Sequence, residues 1–250
     1  MEQTMEMKQV TDVEQSKDTE QALNEEQKMD MDPRKIIEAF MENDKRDKVQ
    51  RYKILNHYIK KGQILFVGSS LMEQFPIYEL MQDCGIKETI YNRGIGGYTT
   101  VEMLEVLDTV VFDLEPSKIF INIGTNDLNL PDFTMEGLIG RYMAILERIM
   151  ERLPQAKIYV MAYYPVNGAY DFGNPYMKEA LKIRTNARID EANQAVEKMA
   201  GRLGLKFINV NKNLYDGAGN LKHQYSVEGM HMYANGYHAI LEDLMKYVRE

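Results

Sequence analysis

The stretch Ile64-Leu65-Phe66-Val67-Gly68-Ser69-Ser70-Leu71 decides how the rest of the chain is interpreted. Four consecutive apolar residues followed by glycine are typical of a strand that is buried on both faces of a parallel sheet. In open α/β sheets, ligands bind beyond the carboxyl ends of the strands. The pattern therefore predicts that Ser69 and Ser70 lie at the edge of a sheet where a functional site is expected.

Further β-rich runs follow this stretch, and segments with the apolar spacing of helices separate them. We predict strands over residues 64–67, 89–91, 118–123, 157–162 and 206–210. We predict helices over residues 36–58, 101–112, 135–153, 185–203 and 237–248. Thr99 and Glu102 have the spacing of a capping box at the start of one helix. This alternation indicates an α/β protein in which helices cover a parallel sheet.

The composition disfavours several classes of protein. The 250 residues carry 30 basic and 38 acidic side chains, so a net charge of −8 disfavours nucleic acid or anionic lipid as a partner. The sequence has no apolar run near the roughly 18 residues that a membrane span needs. One cysteine, Cys84, excludes a disulfide framework and a multi-cysteine zinc site, and histidines are few. We therefore expect no metal site.

The negative charge is concentrated at the N-terminus. Residues 1–32 hold ten acids and three lysines, which leaves −7 on this segment and a nearly neutral remainder. The segment has no aromatic residue and lacks the apolar stretch of a secretory signal. We predict a disordered acidic tail over residues 1–32, a single domain over 33–250 with an N-terminal helix at about 36–58, and a cytoplasmic location.

Residues suited to chemistry follow several of the predicted strands. The segment 68–71 follows the first strand, 92–97 the second and 124–127 the third, and Glu228-Gly229-Met230-His231 comes after the fifth. Because the carboxyl ends of parallel strands meet at one edge, these segments bring together a hydroxyl, backbone amides, a carboxamide, a carboxylate and an imidazole. Such a combination can carry out acyl transfer.

His231 is the histidine best suited to activate a serine. Among the four histidines it alone has an acid three residues earlier, Glu228, and this spacing lets one turn present both groups. Ser70 then serves as nucleophile, and the backbone N–H groups of Ser70 and Gly97 with the side chain of Asn126 can stabilise an oxyanion. Each of these residues alone is more often a cap, a turn or a packed histidine, and it is their order after successive strands that favours the functional interpretation.

With these motifs the chain resembles the SGNH hydrolases, also called GDSL-type esterases and lipases, from about Ile64 to the C-terminus. The resemblance assigns Ser70 as nucleophile, His231 as base, and Gly97 and Asn126 to the oxyanion hole. It also shows two departures, because the family usually has Asp at the positions held here by Ser69 and Glu228.

The resemblance implies a three-layer α/β/α sandwich with a five-stranded parallel sheet in flavodoxin-like order. It also implies a serine esterase that uses a Ser70–His231–Glu228 triad without a metal or organic cofactor. A lysophospholipase or thioesterase of the same family and a non-catalytic ligand-binding module on the same fold are the alternatives. A phosphate binder using residues 68–70 at a helix N-terminus is a further one, although it leaves His231 and Asn126 without a role.

The sequence gives less information about the substrate than about the fold or the reaction. We predict a long loop over residues 163–176, and its aromatic residues Tyr164, Tyr170 and Phe172, together with Tyr98, are the candidate substrate-binding residues. They could stack on a sugar or line an acyl pocket, and a loop packed by its own aromatic residues is equally compatible with the pattern. We expect a small carbohydrate or lipid ester with a short acyl group as substrate, and the oligomeric state stays open.

Overall fold

The computed structural model describes residues 32–250, which belong to two units. The first unit ends at Asp44, and its described part is the beginning of helix α1 (Pro33–Leu55). This part exposes the apolar side chains of Ile36, Ile37, Phe40 and Met41. The second unit, Lys45–Glu250, contains the five strands of the described chain. The tail predicted for residues 1–32 lies outside the described residues, apart from Asp32.

A parallel sheet forms the centre of the second unit. Its strands are β1 (Ile64–Gly68), β2 (Ile90–Gly94), β3 (Lys118–Asn122), β4 (Lys157–Met161) and β5 (Lys206–Ile208). The strands are parallel in the order β2-β1-β3-β4-β5, which confirms the predicted flavodoxin-like topology. Gly68 is in register with Gly94 on one side and Asn122 on the other, so the segments that follow these three strands begin at the same level.

Helices pack on both faces of this sheet. They are α2 (Ser70–Glu73), α3 (Ile77–Asp83), α4 (Thr100–Val110), α5 (Met135–Arg152), α6 (Pro175–Ile183), α7 (Asn186–Arg202) and α8 (Ala234–Arg249). The predicted helices are present with ends shifted by a few residues, and both halves of the Thr99–Glu102 capping box form. Within residues 32–250, no helix has both the length and the apolar character that crossing a membrane requires.

The sequence did not predict three of the helices, and each omission has a physical reason. Helices α2 and α3 are too short to show a helical period in the sequence. Helix α6 corrects the predicted loop over residues 163–176, because the Asn174 side chain accepts a hydrogen bond from the N–H of Met177 and Pro175 occupies the first helical turn. The irregular segment therefore ends at Asn174.

The strands divide the apolar core into two layers. Side chains at successive positions of β1 point to opposite faces, so Leu65 and Val67 join the cluster that includes residues of α4, α5 and α7. Ile64 and Phe66 join the second cluster, with residues of α3 and α8. The residues of β1 are buried throughout, as the unbroken apolar run predicts. Packing on both faces gives the loops at the carboxyl edge a rigid base.

Candidate active site

Ser70 begins helix α2, two residues after Gly68, the last residue of β1. The turn before it requires glycine, because a Cβ on Gly68 would lie 2.0 Å from the carbonyl oxygen of Asn122. From α8, the hydroxyl of Tyr237 donates a hydrogen bond to the carbonyl oxygen of Leu71 at 2.9 Å and so holds the short helix in place. The fold therefore presents a half-buried, accessible Ser70 at the edge where the sequence predicted it.

His231 links Ser70 to Glu228. Its Nε2 lies 2.8 Å from the Oγ of Ser70, and its Nδ1 lies 2.5 Å from the Oε1 of Glu228. A carboxylate only accepts hydrogen bonds, so Nδ1 carries the proton and the lone pair of Nε2 faces the serine hydroxyl. This is the geometry in which a histidine can remove a proton from serine.

A tight turn carries Glu228 and His231. The backbone N–H of Val227 donates to the carbonyl oxygen of His231 at 2.9 Å, and the N–H of Asn167 donates to that of Gly229 at 2.7 Å. The N–H of His231 also donates to Oε1 of Glu228 at 3.2 Å, so the carboxylate binds both the backbone and the ring of the same residue. Although the family usually has aspartate here, the glutamate side chain reaches the imidazole.

Backbone donors for an oxyanion are available on the other side of Ser70. Within residues 32–250, the N–H groups of Ser70 and Gly97 donate to no protein acceptor. Gly97 has a φ of +76°, a left-handed conformation that glycine adopts without strain. The N–H of the preceding Gly96 donates to Oε2 of Glu73 at 2.6 Å, which ties this loop to the helix that begins with Ser70.

The amide of Asn126 has a single orientation. Its Nδ2 donates to the carbonyl oxygen of Tyr98 at 2.9 Å, and its Oδ1 accepts from Nη2 of Arg184 at 3.0 Å. Because a carbonyl only accepts and a guanidinium only donates, both neighbours require the same assignment of nitrogen and oxygen. One N–H of the amide is bound to Tyr98, and the second has no acceptor among the contacts of the described residues.

Asp127, the next residue, holds this turn against two helices. Its carboxylate is fully buried, and Oδ2 accepts from the N–H of Thr100 at 2.9 Å. Oδ1 accepts from the hydroxyl of Thr100 and from Nη2 of Arg141, the latter at 3.1 Å. Sequence analysis missed Thr100, Arg141 and Arg184 because these contacts join residues far apart in the chain. The only signal was the acid that directly follows Asn126.

The candidate substrate-binding residues occupy different environments. Tyr164 is 2% exposed and belongs to the second core cluster, so it offers a ligand no surface. Tyr98 is 5% exposed and also buried. Tyr170 is exposed and contacts Phe172, with ring centroids 4.8 Å apart. These last two side chains border a pocket that Glu228 also lines, so of the four candidates they are the two that offer a ligand an accessible surface.

No metal-binding arrangement accompanies these residues in the part of the chain that the structure describes. Across residues 32–250, groups of three or more His, Cys, Asp or Glu side chains suited to hold a metal ion do not occur. His231 contacts Ser70 and Glu228 contacts His231, so these two residues can transfer and orient a proton.

Comparison with known proteins agrees with this site. The model of the GDSL-like Lipase/Acylhydrolase family matches residues 77–239, a range that contains Gly97, Asn126, Glu228 and His231 and begins after Ser70. The match covers more than half of the chain, and the chain belongs to this family. Its class is therefore that of the GDSL-type hydrolases, as the sequence motifs predicted.

Individual relatives extend the likeness to most of the chain. A solved structure from Streptococcus pneumonia, provisionally described as a platelet activating factor, is 32% identical with a TM-score of 0.77, and the match covers 86% of this chain and 97% of that one. Platelet-activating factor acetylhydrolase IB subunit alpha1 from Bos taurus is 26% identical over 71% of each chain.

N-acylneuraminate cytidylyltransferase from Escherichia coli O18:K1:H7 (strain RS218 / NMEC) is 24% identical over 88% of this chain and 51% of its own length. This chain thus spans about half the length of that relative.

Proposed function

We propose that this protein hydrolyses carboxylic esters with short acyl groups, acetyl esters foremost, through a triad of Ser70, His231 and Glu228. The observation that carries the proposal is the pair of contacts at His231, 2.8 Å from Nε2 to Ser70 and 2.5 Å from Nδ1 to Glu228. A serine hydroxyl is a weak nucleophile until an adjacent, oriented base takes its proton, and these contacts supply both conditions.

In the first half of the reaction, the Oγ of Ser70 attacks the ester carbonyl while its proton moves to Nε2 of His231. The carbonyl oxygen gains negative charge, which the N–H groups of Ser70, Gly97 and Asn126 stabilise. His231 then gives the proton to the oxygen of the leaving alcohol, and the acyl group stays on Ser70. The carboxylate of Glu228 stabilises the imidazolium that forms between these two transfers.

In the second half, water replaces the alcohol. His231 takes a proton from the water, whose oxygen attacks the acyl carbon, and the same N–H groups stabilise the second oxyanion. Collapse of this intermediate returns the proton from His231 to the Oγ of Ser70 and releases the carboxylic acid. The cycle uses groups of this chain and water.

The short acyl group is proposed from the relatives. Two of them carry names that refer to platelet activating factor, and one of these names specifies an acetylhydrolase. Tyr170 and Phe172 border the pocket next to Glu228, where an aromatic rim suits the sugar or lipid part of an ester. A series of esters with growing acyl chains separates this proposal from a lysophospholipase, and a thioester substrate separates it from a thioesterase.

The decisive experiment compares Ser70→Ala with Ser69→Ala in hydrolysis of an activated acetyl ester. We expect Ser70→Ala to lower kcat by about 10³-fold or more, because the oxyanion donors cannot replace the nucleophile. Ser69→Ala is the matched control, since the neighbouring hydroxyl is buried without a hydrogen-bond partner in the described chain and its loss should preserve the rate. A fluorophosphonate should label the wild type and not Ser70→Ala. Near-normal turnover by Ser70→Ala would refute the proposal.

A further inference from the structure

Arg184 is a buried cation beside the candidate oxyanion hole. It follows α6 directly, is 5% exposed, and its backbone N–H donates to the carbonyl oxygen of Ala180 at 3.0 Å. Its guanidinium extends from there to the turn that contains Asn126. Burial lowers the pKa of Arg184 to about 10, so the group keeps its charge at neutral pH.

Neutral groups surround this charge. Nη2 donates to Oδ1 of Asn126 at 3.0 Å, Nε donates to Oδ1 of Asn129 at 2.7 Å, and Nη1 lies 2.7 Å from Sδ of Met230. Among the described residues, no carboxylate forms an ion pair with Arg184. Tyr176 and Asp127 act on its pKa in the opposite direction to burial, and the carboxylate of Asp127 is already bound by Arg141.

A buried charge that forms no direct ion pair is costly for a folded protein, because a more distant opposite charge repays only part of the desolvation. The cost is lower when an opposite charge arrives nearby. In the proposed reaction such a charge develops on the carbonyl oxygen that the second N–H of Asn126 faces.

We propose that Arg184 is a positioning residue that orients the amide of Asn126 and strengthens it as an oxyanion donor. Donation from Nη2 to Oδ1 fixes which end of the amide faces the substrate, and it polarises the amide so that its N–H groups become better donors. Arg184 also contacts Met230, which lies between Glu228 and His231, so it touches both halves of the site.

Arg184 should stabilise the transition state more than the bound substrate. The ester carbonyl is neutral when the substrate binds and carries negative charge in the tetrahedral intermediate, so the field of Arg184 acts mainly on the second state. A residue of this kind changes kcat and leaves KM nearly unchanged. A residue that merely packs the turn would alter stability without this selectivity.

The test is a double-mutant cycle in kcat between Arg184→Met and Asn126→Ala, and it rests on the proposed ester hydrolysis. We expect Arg184→Met to lower kcat by about 10- to 100-fold in the wild-type background, with KM within about threefold of the wild-type value. In the Asn126→Ala background the same substitution should cost less than about threefold, because the amide through which it acts is gone. Lys182→Met is the control, since it removes an exposed cation of α6 and should preserve kcat.

Arg184→Lys keeps the charge but cannot make three fixed contacts, so its kcat should lie between those of the wild type and Arg184→Met. If Arg184→Met does not fold, the cycle is run with Arg184→Lys, whose loss must also vanish without Asn126. Equal losses in both backgrounds would overturn the role of Arg184 while leaving ester hydrolysis intact. A folded wild type that neither hydrolyses the ester nor reacts with the fluorophosphonate would instead overturn the proposed function.

Discussion

The two sides of Ser70 are organised in opposite ways. On the base side, Glu228 and His231 are three residues apart, and one turn supplies both their contact and the backbone hydrogen bond that supports it. On the oxyanion side, the orientation of Asn126 depends on Arg184, 58 positions away in the chain. The base side thus depends on contacts between residues close in sequence, and the oxyanion side depends on tertiary contacts.

This difference predicts which substitutions should change the reaction rate alone and which should also change the stability of the fold. A change of Glu228 or His231 should alter proton transfer and leave the core intact, because neither residue belongs to an apolar cluster. A change in the Asn126 turn should reach further, because the adjacent Asp127 joins that turn to the start of α4 and to α5. The following substitutions test this contrast.

Glu228→Gln should have the largest effect on the base side. The amide keeps the length of the side chain and removes the charge that stabilises the imidazolium, so we expect kcat to fall by about 10²- to 10⁴-fold with little change in KM. Steady-state kinetics on the acetyl ester measure this, and thermal unfolding checks that the melting temperature stays near the wild-type value.

A wild-type kcat in Glu228→Gln would contradict the triad. It would favour a dyad in which the carboxylate does not assist His231. Glu179→Gln is a suitable control, because this exposed acid pairs only with Lys182 in the described part of α6 and its charge lies away from the imidazole.

Asn126→Ala should have the next largest effect, on the oxyanion side. Removal of one oxyanion donor typically costs about 10²- to 10³-fold in kcat. Asn129→Ala is the matched control, since it removes the other side-chain amide that Arg184 binds and leaves Asn126 in place. A wild-type kcat in Asn126→Ala would show that the amide of Asn126 has only a structural role.

The same contrast explains what could be predicted from the sequence. The buried strands are predictable because their apolar runs are nearly continuous, and their order predicts that Ser70, Gly97, Asn126 and His231 lie at one edge of the sheet. Glu228 was found because its partner is three residues away. These features depend on neighbours within one strand or one turn.

Tertiary contacts could not be predicted in this way. No spacing in the sequence relates Arg184 to Asn126. The sequence makes Tyr164 a candidate substrate-binding residue, whereas packing places it in the core. Helix α6 was hidden within a segment rich in glycine and proline, which favoured a loop. The pairing of distant side chains depends on the packing of α6 and α7, which local sequence patterns do not specify.

Asp127→Asn tests the coupling of the oxyanion side to stability. An asparagine cannot accept from Thr100 and Arg141 at both of its terminal atoms, because one of them is now a donor. We expect a loss of about 2–3 kcal/mol in the free energy of unfolding, measured as a lower urea midpoint at an unchanged m-value. The exposed Asp132→Asn is the control, and its midpoint should match that of the wild type. An unchanged midpoint for Asp127→Asn would show that the Asn126 turn does not depend on this carboxylate.

Glu228→Asp should have the smallest effect and is the sharpest test of the base side. Aspartate restores the residue usual in the family and keeps the charge, but it is one methylene shorter in a turn that Asn167 and the Val227 N–H hold in place. The carboxylate therefore stays about 1 Å short of Nδ1 unless the turn moves, and we expect kcat to fall about tenfold, well short of the loss in Glu228→Gln.

The ratio of these two losses separates charge from length. A larger loss in Glu228→Gln than in Glu228→Asp means that the negative charge on the carboxylate matters more than the exact position of its oxygen. Equal losses would mean that orientation of the imidazole dominates, because both variants disturb it. A kcat in Glu228→Asp equal to that of the wild type would show that the turn adapts to the shorter side chain, and the base side would then be less rigid than its hydrogen bonds indicate.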